Sequence, residues 1–189
     1  ADIAQHAAEA RATGRTRALR YGRGSPFADI DLPCGGRLDI LLIPRPDRGV
    51  LGALQRRRAD RMPCGLRIDP RTGALAVTED APVATGWHDG AFVIRYAPAL
   101  RFVVFGKGPE ASTFAALARS AGYPHLLLSP DAETRDSGAA LGCATGGLEV
   151  PGWPADLGVD PWTAVLLFFH DHDWEPPILQ GALATPAFY

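Results

Sequence analysis

The sequence predicts a two-domain α/β protein, with a small mixed α/β domain in residues 1–98 and a parallel sheet covered by helices in residues 99–189. The 189 residues are 47% hydrophobic, which is enough to bury a core. The 21 glycines and 17 prolines are spread along the chain, which indicates many short elements joined by tight turns. After Pro98, continuously apolar strands alternate with helical spacing, and this pattern is typical of a parallel sheet.

The first domain is predicted to begin with an alanine-rich helix that Asp2 caps and Gly14 ends. An apolar run that stops at Pro44 predicts a strand, and Asp47 precedes a short helix with a basic outer face. Apolar residues on both sides of the turn at 69–73 predict a hairpin. The predicted helices cover 3–13 and about 48–58, and the predicted strands cover 17–21, 37–43, 66–68, 74–78 and 91–96.

The second domain is predicted to alternate buried strands with helices that cover the sheet. The helix after its first strand places Phe114, Leu117 and Ala118 on one face and ends at Gly122. Residues 132–161 carry no clear pattern. The first strand is expected at the centre of the sheet, with right-handed crossovers. The predicted strands are 101–105, 125–128 and 162–169, and a last helix covers 175–184.

Composition excludes several classes of function. Nineteen Lys and Arg residues against 21 Asp and Glu residues give a net charge of -2, so the chain lacks the electrostatic footprint of a nucleic-acid-binding protein. The longest apolar runs, such as 164–169, are too short to span a bilayer. Three cysteines and the absence of a secretory signal predict a reducing, cytoplasmic location. The chain starts without methionine and stops where a further strand would begin, so both domains are expected to be incomplete.

A glycine turn, Gly106-x-Gly108-x-x-Ala111, stands between a strand and a helix, as in the Rossmann-like dinucleotide fingerprint. Gly106 would permit the tight turn, and Gly108 would let the backbone approach a phosphate. Pro109 fits the first helical position, and Asp131 ends the next strand, where an acid meets a ribose hydroxyl in such proteins. The alternative is a structural turn that binds nothing.

The loop His170-Asp171-His172-Asp173 follows a buried strand, so it is expected at the carboxyl edge of the sheet beside the Gly106 turn. Its imidazoles and carboxylates could hold a metal or place a proton donor beside a phosphate. The alternative is a polar loop in which Asp173 caps the next helix.

The turn Pro33-Cys34-Gly35-Gly36 combines a thiol with glycines, whose nearby N–H groups favour an anion or a reactive thiolate. The alternative is a buried cysteine at a tight turn. No Cys-x-x-Cys pair is present, which argues against a structural zinc site. The Arg56–Arg58 run is interpreted as a solvated helix face.

Three segments in order resemble the xanthine dehydrogenase accessory proteins of the XdhC/CoxI type. The segment 29–38, which contains Leu-Pro-Cys-Gly-Gly, is similar to a motif of that family, and the resemblance covers essentially the whole chain. The segments carrying the resemblance in the second domain are 105–111, 128–131, 170–173 and 186–189. Family members usually begin earlier and end later than this chain, and Lys107 stands where the family often has a small residue.

The resemblance implies a chaperone that binds the molybdenum cofactor transiently, protects it during sulfuration by a cysteine desulfurase and delivers it to a molybdenum hydroxylase of the xanthine dehydrogenase type. It also implies a homodimer without catalytic residues or a resident metal. The implied cofactor contacts are Cys34, Gly35, Gly36, Gly106, Gly108, Pro109, Asp131, His170, Asp171 and His172. On this reading Cys34 faces a cleft between the two domains.

Other classes remain open from the residues alone. An NAD(P)-dependent oxidoreductase would use the Gly106 turn and Asp131, with His170 or His172 as proton donor. A metal-assisted hydrolase would be built on the loop 170–173. A structural adaptor would only dock partners.

Overall fold

The computed structural model describes residues 3–26, 33–170 and 172–187. The chain divides into two compact units, Ala1–Ala97 and Pro98–Tyr189, called here the N-unit and the C-unit. In the N-unit the elements are α1 (Ile3–Thr13), β1 (Arg17–Gly22), β2 (Arg37–Leu42), α2 (Arg48–Ala59), β3 (Cys64–Ile68), β4 (Leu75–Thr78), β5 (Gly86–His88) and β6 (Ala91–Tyr96). In the C-unit they are β7 (Arg101–Gly106), α3 (Pro109–Ser120), β8 (His125–Ser129), α4 (Ala132–Ala140), β9 (Thr145–Gly147), β10 (Thr163–Phe168) and α5 (Glu175–Leu183).

The N-unit holds two antiparallel sheets. Strands β1 and β2 form a two-stranded ribbon in which Arg17 pairs with Leu42 and Gly22 with Arg37. The other four strands form a sheet in the order β4-β3-β6-β5. Helix α2 packs on one end of this sheet, where Leu54, Cys64 and Leu66 form the buried core. The predicted small mixed α/β architecture is confirmed.

The ends of the N-unit helices follow from their sequence. Gly14 has a φ of +68°, and its N–H donates to the Ala10 carbonyl at 2.8 Å, so α1 ends in the left-handed turn that glycine favours. Asp47 caps α2 by accepting from the N–H groups of Gly49 and Val50 at 2.7 and 3.1 Å. Both features agree with the predictions, whereas Asp2 lies outside the described residues.

Two hairpins organise the four-stranded sheet. The predicted one joins β3 and β4, and the Asp69 carboxylate accepts from the N–H groups of Arg71 and Thr72 within its turn. The second joins β5 and β6 through Asp89 and Gly90, whose φ angles are 47° and 75°. Positive φ at both central residues is the geometry that an Asp-Gly pair favours in a hairpin. Strand β5 was not predicted, although this dipeptide signals it.

The C-unit is a parallel four-stranded sheet in the order β10-β7-β8-β9, flanked by helices. Strand β7 lies between β10 and β8, with Val103 opposite both Val165 and Leu126. The predicted parallel, Rossmann-like architecture with the first strand at the centre is confirmed. Buried apolar clusters occupy both faces of the sheet, one around Phe105 and Ile178 and the other around Val104.

Three details of the C-unit differ from the predictions. Leu117 is 63% exposed, because α3 approaches the sheet closely through its alanines. Helix α4 and strand β9 lie in the stretch for which no pattern was found. Helix α4 buries only Thr134 and Gly138, so it lacks the apolar stripe that identifies a helix in sequence.

Within the part of the chain that the structure describes, no helix is long and apolar enough to cross a membrane.

Candidate functional site

The glycine turn after β7 is shaped by close packing. The Lys107 N–H donates to the Phe168 carbonyl at 3.0 Å, which joins the end of β7 to the end of β10. A Cβ on Gly106 would lie 2.5 Å from that carbonyl oxygen and 2.9 Å from the Ala111 Cβ. Gly106 is therefore required by the approach of β10 and α3, whether or not a ligand binds.

Gly108 and Asp131 are linked through a residue that sequence reasoning missed. The Gly108 N–H donates to the Thr134 hydroxyl oxygen at 2.8 Å, and that hydroxyl donates to the Asp131 carboxylate at 2.5 Å. The same carboxylate oxygen accepts from the Thr134 N–H at 2.8 Å and caps α4. These bonds from Thr134, with the charge of Lys107, lower the pKa of Asp131.

This network changes the interpretation of the fingerprint. Gly108 has a φ of +87°, which favours glycine in this turn. Its N–H and the Asp131 carboxylate are the groups that would meet a phosphate and a ribose, yet they are bonded through Thr134 to each other. The geometry thus favours the structural alternative for the turn. In the sequence Asp-Ala-Glu-Thr, Thr134 stands three positions after Asp131, which is the distance from an N-cap residue to the N–H that it bonds. This spacing was the signal available for Thr134.

The His170 loop lies beside the glycine turn, as predicted. Gly106 pairs with Phe168 at the ends of adjacent parallel strands. The His170 Nε2 atom stands 3.7 Å from a Glu110 carboxylate oxygen, and the His170 side chain is 85% exposed. Pro109 occupies the first helical turn of α3 and is exposed, as Glu110 is.

The rest of the loop carries less of the predicted chemistry. His172 is exposed, and Asp171 lies outside the described residues, as do residues 29–32 and 188–189 of the resembling segments. The N-cap position of α5 is Trp174, the residue after Asp173, and Trp174 makes no side-chain cap hydrogen bond, so the capping alternative for Asp173 stays a prediction. Among the described residues, no group of three or more His, Cys, Asp or Glu side chains could hold a metal ion.

Cys34 is exposed in a turn of the β1–β2 connection. Gly35 has a φ of +64°, and a Cβ on Gly36 would lie 3.2 Å from the Cys34 sulfur, so the sulfur rests against glycine backbone. The Arg23 N–H donates to the Gly36 carbonyl at 3.0 Å, and the Arg23 guanidinium comes within 3.7 Å of a Cβ built on Gly35. The thiol is thus accessible and lies on a turn that a guanidinium approaches.

The other cysteines differ from Cys34. Cys64 and Cys143 are buried, and burial raises the pKa of the Cys143 thiol. The buried-cysteine alternative is therefore wrong for Cys34 and describes these two instead.

In the arginine run, Arg57 bonds to Glu79 and to the Pro63 carbonyl, each at 3.4 Å.

A pocket of about 800 Å³ in the N-unit was not predicted. It lies between the β1–β2 ribbon and the end of the four-stranded sheet that α2 leaves uncovered. Its rim carries an ion pair between Arg20 Nε and Asp39 Oδ1 at 2.6 Å. Its other lining residues are Ala18, Leu19, Gly24, Pro26, Ile40, Leu41, Ile68, Pro70, Trp87, Phe92 and Ile94. Five strands and two connections supply this wall, so no single sequence motif reveals it.

Comparison with known proteins identifies a homologue. No family model matches the chain. The molybdenum cofactor insertion chaperone PaoD of Escherichia coli K12 is 34% identical over all 189 residues, which is 100% of this chain and 53% of that protein. The chain is thus a homologue of a molybdenum cofactor insertion chaperone, and the predicted resemblance to such chaperones is confirmed. The chain spans about half the length of this curated relative.

A solved structure shares the fold. A protein from Bacillus halodurans described as a xanthine dehydrogenase superposes with a TM-score of 0.59 at 16% identity. The match covers 90% of this chain and 59% of that one. At this identity the likeness concerns the fold alone.

Proposed function

We propose that this chain is the cofactor-binding part of a cytoplasmic molybdenum cofactor chaperone of the XdhC/CoxI type. It holds the cofactor during sulfuration by a cysteine desulfurase and supports its insertion into a molybdenum hydroxylase of the xanthine dehydrogenase type. The full protein acts as a homodimer, and the cofactor is its cargo. The observation that carries this proposal is the 34% identity to a molybdenum cofactor insertion chaperone along the entire chain.

Cys34 supplies the chemistry that such a role needs. A thiolate is a soft ligand, and molybdenum with its sulfur ligands is a suitable partner for a soft, accessible donor. The exposed sulfur on a glycine turn approached by Arg23 fits this requirement, because the backbone N–H groups and the guanidinium favour an anionic neighbour. Gly35 and Gly36 keep side chains away from the sulfur.

The C-unit residues have a secondary role in the proposal. Pro109, His170 and His172 are exposed at the carboxyl edge of the sheet, where open α/β sheets bind ligands. His170 and His172 would donate hydrogen bonds to phosphate or oxo groups of the cargo. Gly106, Gly108 and Asp131 would act by holding this edge in place, and Asp171 belongs to the same predicted set. That Cys34 faces these residues stays a prediction.

Copurification with molybdopterin tests the proposal. The full-length protein, purified from cells that make the cofactor, is oxidised, and the fluorescent product is quantified per chain. We expect retention by the wild type and loss in Cys34→Ala, with Cys143→Ala as the control for removing a buried thiol of the C-unit. A wild type without molybdopterin would overturn the chaperone role, and undiminished retention by Cys34→Ala would overturn the role of the thiol. Tight nicotinamide binding in a parallel titration would favour an oxidoreductase instead.

A further inference from the structure

We infer that the N-unit pocket between the β1–β2 ribbon and the four-stranded sheet is a pterin site, in which Asp39 and Arg20 bind the aminopyrimidinone edge and Trp87 and Phe92 contact the ring faces. The inference rests on the proposed function and deepens it by assigning part of the cargo to named residues. Four observations carry it.

The first observation is an apolar floor that α2 covers only in part. Ile68 and Trp87 both pair with Phe92 in register, so the three side chains form a row across β3, β6 and β5. Helix α2 packs on the same face around Leu54 and Cys64, a cluster that Ile68 also contacts, and leaves Phe92 and Trp87 to the pocket. Such a floor suits a planar ring system rather than a chain of polar groups.

The second observation is the exposure of Trp87. Its indole is 66% exposed, although it is one of the largest apolar groups in the N-unit. It meets Phe92 in a T-shaped contact, with ring centroids 5.4 Å apart, and the exposed part of the indole can contact another ring. The Asp89–Gly90 turn directly after β5 fixes the end of the hairpin on which it stands.

The third observation is the ion pair on the rim. Arg20 and Asp39 are opposite each other in the ribbon, and both are about half exposed, at 45% and 49%. A pterin presents N3–H and a 2-amino group as neighbouring donors, with a carbonyl oxygen beside them. A carboxylate accepts the two donors and a guanidinium donates to the oxygen, so the pair matches this edge. The hydrogen bond and charge of Arg20, with the charge of Arg37, lower the pKa of Asp39.

The fourth observation links the pocket to Cys34. Gly24 and Pro26 line the pocket and belong to the β1–β2 connection that also carries Cys34. The two ends of this connection are joined by the bond from the Arg23 N–H to the Gly36 carbonyl. A pterin ring in the pocket would therefore lie against the same connection that carries the thiol.

Fluorescence titration of the full chain with unsubstituted pterin tests the site. Lumazine, which has an oxygen where the pterin has its 2-amino group, is the matched probe, because that oxygen would face the Asp39 carboxylate. We expect lumazine to bind at least about tenfold more weakly than the pterin, the size of one charge-assisted hydrogen bond. Equal binding of the two probes would overturn the assignment of Asp39.

Substitutions in the pocket complete the test. Asp39→Asn and Trp87→Ala should each weaken pterin binding by about tenfold or more, whereas Trp87→Phe should retain most of it. Glu9→Gln is the matched control, because Glu9 forms a similar carboxylate–arginine pair with Arg17 away from the pocket. Wild-type affinity in both Asp39→Asn and Trp87→Ala would overturn the site. Thermal unfolding of each variant checks that it is folded.

The outcomes separate this inference from the proposed function. Molybdopterin retained by the wild type and equally by Asp39→Asn and Trp87→Ala would overturn the pocket and leave the chaperone role standing. If the wild type bound pterin in the pocket but retained no molybdopterin, the chaperone role would be overturned and the pocket would stand. Guanosine monophosphate shares the aminopyrimidinone edge, so tighter binding of this nucleotide than of the pterin would overturn the pterin assignment in favour of a guanine site.

Discussion

The N-unit and the C-unit differ in charge and in the way they use their polar groups. Residues 1–97 contain fifteen basic and eleven acidic residues, whereas residues 98–189 contain four basic and ten acidic ones. The N-unit places an exposed thiol and an exposed ion pair at its surface. The C-unit bonds the polar groups of its recognisable motif to one another through Thr134.

This difference shows what a glycine motif reports. The fingerprint in the C-unit correctly predicted a turn between a strand and a helix, because glycine is needed where backbone segments approach closely. It did not identify free ligand-binding groups. The N-unit carries no comparable motif around its pocket, and there the side chains that would meet a ligand remain accessible to solvent.

Substitution of Gly106 should produce the largest effect on stability and should confine it to the C-unit. In Gly106→Ala the new methyl would collide with the Phe168 carbonyl, which is backbone and cannot rotate away. We expect the free energy of unfolding to fall by about 3 kcal/mol. Hydrogen exchange should increase in β7 and β10 and stay unchanged in β3 and β6.

Gly158→Ala is the matched control, because a Cβ there meets nothing within 4 Å. It should leave exchange in both units near the wild-type level. If Gly106→Ala also loosened β3 and β6, the two units would not be energetically separate, and the comparison between them would fail.

Removal of the Thr134 hydroxyl should have the next largest effect. Thr134→Val keeps the shape of this buried side chain but removes the hydroxyl to which the Gly108 N–H and the Asp131 carboxylate are bonded. A loss of about 2 kcal/mol in the free energy of unfolding is expected, and Thr134→Ser should restore most of it. Urea unfolding measures both. Identical midpoints for the Val and Ser variants would mean that the network does not stabilise the C-unit.

The Asp131 carboxylate should make the C-unit sensitive to acid. Its pKa is lower in the folded state, so the stabilisation is fully present above the unfolded pKa of about 3.9 and is lost as pH falls through the folded value. Wild type should therefore exceed Asp131→Asn in urea midpoint at pH 6, and the gap should narrow toward pH 3. Asp136→Asn, on the exposed side of α4, serves as control. A gap that widened on acidification would contradict the network.

Substitution of Cys34 should have the smallest effect on stability, and its thiol should be the most reactive of the three cysteines. Cys34→Ala should change the free energy of unfolding by less than about 0.5 kcal/mol, because an exposed turn residue is replaced by another small one. In the native wild type, iodoacetamide should modify Cys34 well before Cys64 or Cys143, which are buried. Mass spectrometry of peptides after timed quenching measures the order. Earlier modification of Cys143 would contradict the contrast between the units.

Much of the fold could be predicted because it is encoded locally. The apolar runs of β7, β8 and β10 and the turns at Gly14 and 69–73 each depend on neighbouring residues, and all were found. Helix α4 and strand β9 were missed because they are rich in small residues and pack through Gly138 and Gly146 rather than through an apolar stripe.

The candidate site was less predictable, because its contacts join residues distant in sequence. Thr134 reaches Gly108 across 26 positions, and Asp39 reaches Arg20 across 19. Trp87 and Ile68 reach the same pocket because both pair with Phe92 of β6. Cys34 could be selected from the sequence, since a cysteine beside two glycines needs no distant partner to stand out.

The two edges of the parallel sheet should differ in their tendency to pair with a strand from another molecule. Strand β9 is three residues long and contains two glycines, whereas β10 is six residues long with the sequence Thr-Ala-Val-Leu-Leu-Phe. Within the described residues β10 stands at the sheet edge, and a long apolar edge is a template for adding a strand from another molecule. A C-unit expressed by itself should therefore self-associate through β10 at high concentration, and a lysine in this strand should restore its solubility.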